Sequence, residues 1–291
     1  MDLTLRNLAV PGGLLDAASH TGAGVREVAL DLIDPFPGHP FLVLDDADMD
    51  ELAMSIQRSG IREPVLLRPA GEGRFQLVSG HRRVHAATRL GLASVPAVVM
   101  DMDEDEATVL MVDMNLHRSR LRISEQARAF AMRHKALLHQ GRAGGSTRSA
   151  LARESGRGEA SVARLVRVAQ LSDGLLSMVD EGRIPLRAAL ALCSLDETAR
   201  DAVERVMTAR PRAHISQRAA ETLVSSDGSV DETVVEGTLD GAWQSRGMPA
   251  TMRIPIAWIP DGLDGTDALE WVKRACDMLR EQADGQGNGG L

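Results

Sequence analysis

The sequence predicts an α+β protein in three parts. These are a small N-terminal α/β domain, an all-helical middle domain with a helix-turn-helix, and a small C-terminal strand-helix unit. Three observations lead there. Strand-like apolar runs alternate with amphipathic helices only before about Asp105; from there to Val224 the apolar residues recur at helical spacing. A Gly/Ser/Asp-rich stretch, 225–249, then separates a last strand-and-helix pattern. The expected parts are a flexible tail over 1–24, the α/β domain over 25–118, the helical domain over 119–224, a linker over 225–249 and the terminal unit over 250–291.

In the first domain, Val28-Ala29-Leu30 reads as a strand. Met49, Leu52, Ala53 and Ile56 lie at i, i+3, i+4 and i+7, one face of a helix, and Gly60 is its stop. Strands follow over Pro64–Arg68 and Arg74–Ser79, a short helix runs from Arg82 to Leu90-Gly91, and a third strand covers Val95–Met100. Ala107, Leu110, Met111 and Met114 form one helical stripe beyond this point, and Ala127, Phe130 and Ala131 another. The terminal unit is read as a strand over Thr251–Ile259 and a helix whose Leu269, Val272, Cys276 and Leu279 make a coiled-coil-like seam, the dimerisation piece.

Charge is sorted along the chain. The net charge is −8, yet residues 111–224 carry 19 Lys/Arg against 12 Asp/Glu, while residues 1–110 carry 9 against 17 and residues 225–291 carry 5 against 12. A basic middle third between acidic flanks gives the local field that phosphate contact needs. Aromatic residues are 2% of the chain with no Tyr, which argues against base stacking on aromatic platforms. Cys193 and Cys276 stand apart with no CxxC, which argues against a metal knuckle or disulfide framework. With no membrane-length apolar run and no signal pattern, the expected location is the cytoplasm.

Within that basic third, Arg148–Arg167 has the pattern of a helix-turn-helix. Ala152 is small where two helices cross, Gly156 sits in the turn, and Val162 and Leu165 brace the second helix, with Val166 and Ala169 on the same buried face. Arg148, Arg157, Glu159, Ser161, Arg164 and Arg167 are left for double-stranded DNA. Arg157 and Ser161 are placed for base edges or nearby phosphates, Arg164 and Arg167 for phosphates. A second candidate is Ser79-Gly80-His81-Arg82-Arg83, a strand-to-helix turn whose backbone N–H groups and two guanidinium groups suit an anion. The bland alternative is an Arg pair opening a solvated helix. Gly60 to Pro64 and Asn115 to Arg118 offer two further helix-end turns. His81 and His85, one turn apart, are too few ligands for a metal site, and Ser79 has no His/Asp pattern that would make it a nucleophile.

Several blocks in order resemble the ParB-type partition proteins (ParB/RepB family), in particular their mobile-element branch: HPF at His39–Phe41, MDELAMSIQRSGIREPV at Met49–Val65, LVSGHRRVHAATRLGL at Leu77–Leu92, DEATVLMVDMNLHR at Asp105–Arg118 and Gln170–Leu195. The resemblance covers about residues 25–224. It implies a CTP-dependent DNA clamp that is a homodimer on a palindromic site, acts in DNA segregation with a ParA-type ATPase, and binds CTP with Mg²⁺. It also implies that Gly60, Ile61 and Pro64 belong to the first phosphate motif, Ser79, Gly80, His81, Arg82 and Arg83 to the second, and Asn115 and Arg118 to the third, with Asn115 on Mg²⁺. His81 stands where the family has Glu in GERR, Glu63 where Gln is common, and Met114 where a Glu aids hydrolysis, so CTPase activity is expected to be weak or absent. Two other readings compete: a transcriptional regulator of a mobile element with a nucleotide-free scaffold, and an enzyme, since small kinases and nucleases share the N-terminal fold.

Overall fold

The computed structural model describes residues 24–116, 121–141, 149, 152–153, 155–226 and 229–245. The α/β domain is built on a five-stranded sheet in the order β1-β5-β3-β4-β2. Its strands are β1 (Arg26–Ala29), β2 (Ile33–Asp34), β3 (Val65–Gly71), β4 (Arg74–Ser79) and β5 (Ser94–Val99). β3 pairs antiparallel with β4 and parallel with β5, β1 closes one edge antiparallel to β5, and β2 the other parallel to β4. Leu30 begins a 3-10 turn rather than continuing the first strand.

Both faces of the sheet are covered, so its central strands are apolar on both sides. One face presents Val65, Leu67, Leu77, Val95 and Ala97 to Ala87 of helix α2 (His81–Arg89). The other presents Leu66, Val78 and Val98 to Leu110 and Met111 of helix α3 (Glu104–Leu116) and to Phe36 and Phe41. The alternation follows the period-two geometry of strands. Helix α1 (Ala47–Ser59) packs Met49, Ala53 and Ile56 against Ala86 of α2. It starts where Asp46 Oδ1 accepts from Met49 N at 2.9 Å and ends where Gly60 N donates to Ile56 O.

Helix α4 (Ile123–His139) opens the helical part, and its Ala129 enters the same core as α3, so the apolar core runs across the expected boundary at 118/119. Arg133 of α4 is 2% exposed and pairs with Asp113 of α3 through Nε–Oδ1 at 2.6 Å and Nη2–Oδ2 at 3.0 Å. Glu125, also buried, accepts from Leu42 N and from Arg122 N, each at 2.8 Å, and so ties the loop after Phe41 to the start of α4.

Helices α5 (Glu159–Val168), α6 (Asp173–Asp180), α7 (Leu186–Leu192), α8 (Glu197–Ala209) and α9 (Gln217–Val224) continue the helical run. Ser172, Asp196 and Ser216 cap α6, α8 and α9 by accepting from the N3 amide. Within the expected linker the structure instead has helix α10, Glu232–Ser245. Its composition is poor for a helix, but Val235 is fully buried and Arg205 and Arg210 of the α8 region pair with Glu232, Glu236 and Asp240. Tertiary contacts override propensity there. The chain divides into two units at Asp240/Gly241. The terminal strand, the Leu269 to Leu279 seam and the N-terminal tail lie outside the described residues.

Candidate functional site

Two of the three expected phosphate motifs are folded onto each other. Gly80 ends β4 and opens α2 with φ 99°, a left-handed value that L side chains rarely adopt. A Cβ built at Gly80 would lie 2.7 Å from Cγ1 of Val65, the residue that follows Pro64. Glycine therefore lets the second loop lie directly against the end of the first. Arg83 completes the junction: its Nη1 donates to the carbonyls of Glu63 at 2.5 Å and Pro64 at 2.7 Å and stands 3.3 Å from Glu63 Oε2. Burial pulls the Arg83 guanidinium below its ordinary value, and the Glu63 carboxylate opposes that shift. Arg83 thus faces the protein rather than standing ready for a ligand. Arg82 is the more available of the two, with Asp46 Oδ1 at 3.6 Å from its Nη2.

The neighbouring residues divide between structure and surface. Ser79 is buried in the sheet opposite Leu66, and Pro64 is buried where β3 begins. Ile61 packs between α1 and the sheet, which anchors the Gly60–Pro64 turn. The first turn of α2 contains no acidic residue, although that end of a helix favours anions. Two arginines there oppose the helix dipole, an arrangement that an anion would relieve. His81 begins α2, one residue earlier than the sequence suggested, and its ring stacks on His39 at 3.6 Å between centroids with 27° between planes. This contact spans 42 residues and left no local signal in the sequence.

Asn115 is buried near the end of α3, and its Nδ2 donates to Met111 O at 2.8 Å. That leaves its carboxamide oxygen as the atom suited to a hard cation. Met114 packs on the apolar core beside Leu110 and Met111. Arg118 lies outside the described residues. His85 pairs with Asp45 at 2.9 Å, and its hydrogen bond is the main reason the Asp45 carboxyl lies below its usual range. Among the described residues no group of three His, Cys, Asp or Glu side chains is placed to hold a metal.

The candidate DNA reader has its turn where the sequence placed it. Gly156 takes φ 67°, Gly156 N donates to Arg153 O and Arg157 N to Ala152 O, the double bond of a Schellman helix stop. Ala152, expected at the crossing of the two helices, is buried. Helix α5 then buries Val162, Leu165 and Val168; Val166 and Ala169, expected on that face, are only half-buried because the stripe advances in steps of three. Arg157, Glu159, Arg164 and Arg167 are exposed and Ser161 is half-exposed, on the side away from the core. Arg164 Nε reaches back to Ala160 O at 3.1 Å, and Arg167 Nη2 donates to Ser194 Oγ at 2.8 Å, which fixes it against the end of α7. Ser194 was not anticipated from the sequence. Arg148 lies outside the described residues.

Residues 15–116 match the ParB N-terminal domain family. The chromosome-partitioning protein Spo0J of Thermus thermophilus is 38% identical over 184 residues, 63% of this chain and 65% of its own length. A nucleoid occlusion protein of Bacillus cereus is 32% identical over 171 residues, 59% of this chain and 57% of its own. The chain therefore spans less than two thirds of each of these relatives. A crystal structure of the C-terminally truncated chromosome-partitioning protein ParB from Caulobacter crescentus, complexed to the centromeric parS site, has 25% identity and covers 68% of this chain and 98% of its own, with a TM-score of 0.39.

Proposed function

We propose, for a chain whose residues 15–116 match the ParB N-terminal domain family, that it is a DNA-binding partition protein whose hold on DNA is set by CTP. The observation that carries this is the joined pair of loops: the Gly60–Pro64 turn and the Gly80–Arg83 helix start are latched by Arg83 and by the approach of Gly80 to Val65. Such a junction directs a helix N-terminus and Arg82 at one anion and lets that anion act on two elements at once. Arg118 completes the phosphate set in this reading. Mg²⁺ would be held chiefly by the triphosphate, with the Asn115 carboxamide oxygen as its protein donor. Met114 supplies neither a base nor an oxygen ligand, so hydrolysis is slow or absent. Titration calorimetry with the four nucleoside triphosphates, with phosphate release measured alongside, tests this: CTP binding with little turnover is the expected outcome.

The DNA reading rests on α5 and the arginines around it. The chain acts as a homodimer on a palindromic site in this proposal, since a two-fold protein suits a two-fold sequence. A ParA-type ATPase is the expected mover and a plasmid or other mobile element the expected setting. Arg157→Ala should cost about 1–3 kcal/mol on the cognate site and relax its specificity, while Arg164→Ala should weaken all sequences alike. Footprints that are unchanged in both variants would reject this placement of the reader. A transcriptional regulator with the same reader and no nucleotide is the second reading; the replacement of two family residues by Glu63 and Met114 favours it.

A further inference from the structure

Both arginines of the Gly80–Arg83 loop already face a carboxylate. Glu63 Oε2 lies 3.3 Å from Arg83 Nη1, and Asp46 Oδ1 lies 3.6 Å from Arg82 Nη2. Both acids are solvent-accessible, at 50% and 43% side-chain exposure, so each pairing with its arginine is weak. Neither is needed to hold the fold in the way Arg83 is. The latch on the first turn uses the main-chain carbonyls of Glu63 and Pro64, which any residue at 63 would supply. Asp46 caps α1 through the same Oδ1, and asparagine caps as well as aspartate.

We infer that Glu63 and Asp46 are built-in counter-anions of the anion site: Asp46 faces Arg82 and Glu63 faces the Arg83 latch beside it, so both hold negative charge where a phosphate chain approaches and the ligand must outweigh them. This deepens the nucleotide reading above and rests on it. Two positive side chains cancelled by two negative ones leave the helix N-terminus as the uncompensated positive feature among these groups. A weakly charged anion gains little by entering, whereas a triphosphate makes enough charge-assisted hydrogen bonds to outweigh the carboxylates. The two acids therefore act as specificity residues that set the affinity threshold of the site. The alternative role for Glu63, a ligand to a cation carried by the triphosphate, predicts the opposite sign when its charge is removed.

Calorimetric titration of CTP into the full-length protein separates these, using Glu63→Gln, Asp46→Asn and the double variant, each with Mg²⁺ and with EDTA. Thermal melts of the same samples report on folding. Each substitution should tighten CTP binding roughly two- to fivefold without lowering the melting temperature, and the gain should shrink as salt is raised. Binding by the double variant where the wild type is silent would support the inference still more strongly. Equal or weaker CTP binding by Glu63→Gln beside a wild type that binds overturns it, and weakening confined to Mg²⁺ assigns Glu63 to the cation. Silence from the wild type and all three variants instead removes the nucleotide reading itself, and this inference with it.

Discussion

Gly80→Ala is expected to destabilise the protein by about 2–4 kcal/mol and to abolish triphosphate binding. Two costs add. The added methyl would sit 2.7 Å from Cγ1, 3.1 Å from Cβ and 3.3 Å from Cα of Val65. Val65 is fully buried in β3, between β4 and β5, and cannot retreat. The φ of 99° adds a conformational penalty of about 1–2 kcal/mol for any residue with a Cβ. Relief by separating the loops would pull Arg83 away from the Glu63 and Pro64 carbonyls and so dismantle the site. Gly60→Ala is the comparison without a clash: nothing lies within 4 Å of its added Cβ, but φ 69° with ψ −179° is a region open essentially to glycine alone, so a purely conformational cost of about 1–3 kcal/mol is expected, with no relief from Val65→Ala. Urea denaturation measures both. Adding Val65→Ala to Gly80→Ala should recover part of the loss, as a steric origin requires.

The second large effect is expected at Asp113. Arg133 is almost fully buried between α3 and α4, and Asp113→Ala removes its ion pair, a change that costs about 3–5 kcal/mol for a buried charge. Replacing both partners, as Asp113→Leu with Arg133→Met, should be milder than the single substitution, because no buried charge loses its counter-ion. Chemical denaturation of the three proteins gives the comparison; a double variant as unstable as Asp113→Ala would refute it. The pair joins the last helix of the sheet domain, which carries Asn115, to the first helix of the helical part. In the proposed mechanism it is a physical link by which nucleotide binding can act on the reader.

Local pattern carried most of the architecture. The strands at 65–71, 74–79 and 94–99 and the helix stopped by Gly60 were legible because period-two and period-3.6 apolar spacing survive without knowledge of the partner surfaces. So was the turn at Gly156, since its conformation demands a residue of that kind. Features made by distant partners were not legible. Helix α10 depends on Arg205 and Arg210 from elsewhere in the chain, and its Gly and Asp content hides it. The inward turn of Arg83 could not be read from an Arg-Arg pair, because nothing local says which guanidinium meets a carbonyl. His81 on His39 and Arg167 on Ser194 are likewise contacts between segments remote in sequence.

In the proposed function a nucleotide held by the joined loops controls the grip on DNA. Dimer crosslinking on a palindromic DNA, with and without CTP and Mg²⁺ and with Arg82→Ala alongside, tests it most directly. Arg82 suits this purpose because the latch of the turn belongs to Arg83, while Arg82 stands 3.6 Å from the half-exposed Asp46. CTP, and no other nucleoside triphosphate, should change the crosslinked fraction of the wild type, while Arg82→Ala should bind DNA normally but no longer respond. A crosslinked fraction indifferent to CTP in a wild type that still binds the DNA would contradict it.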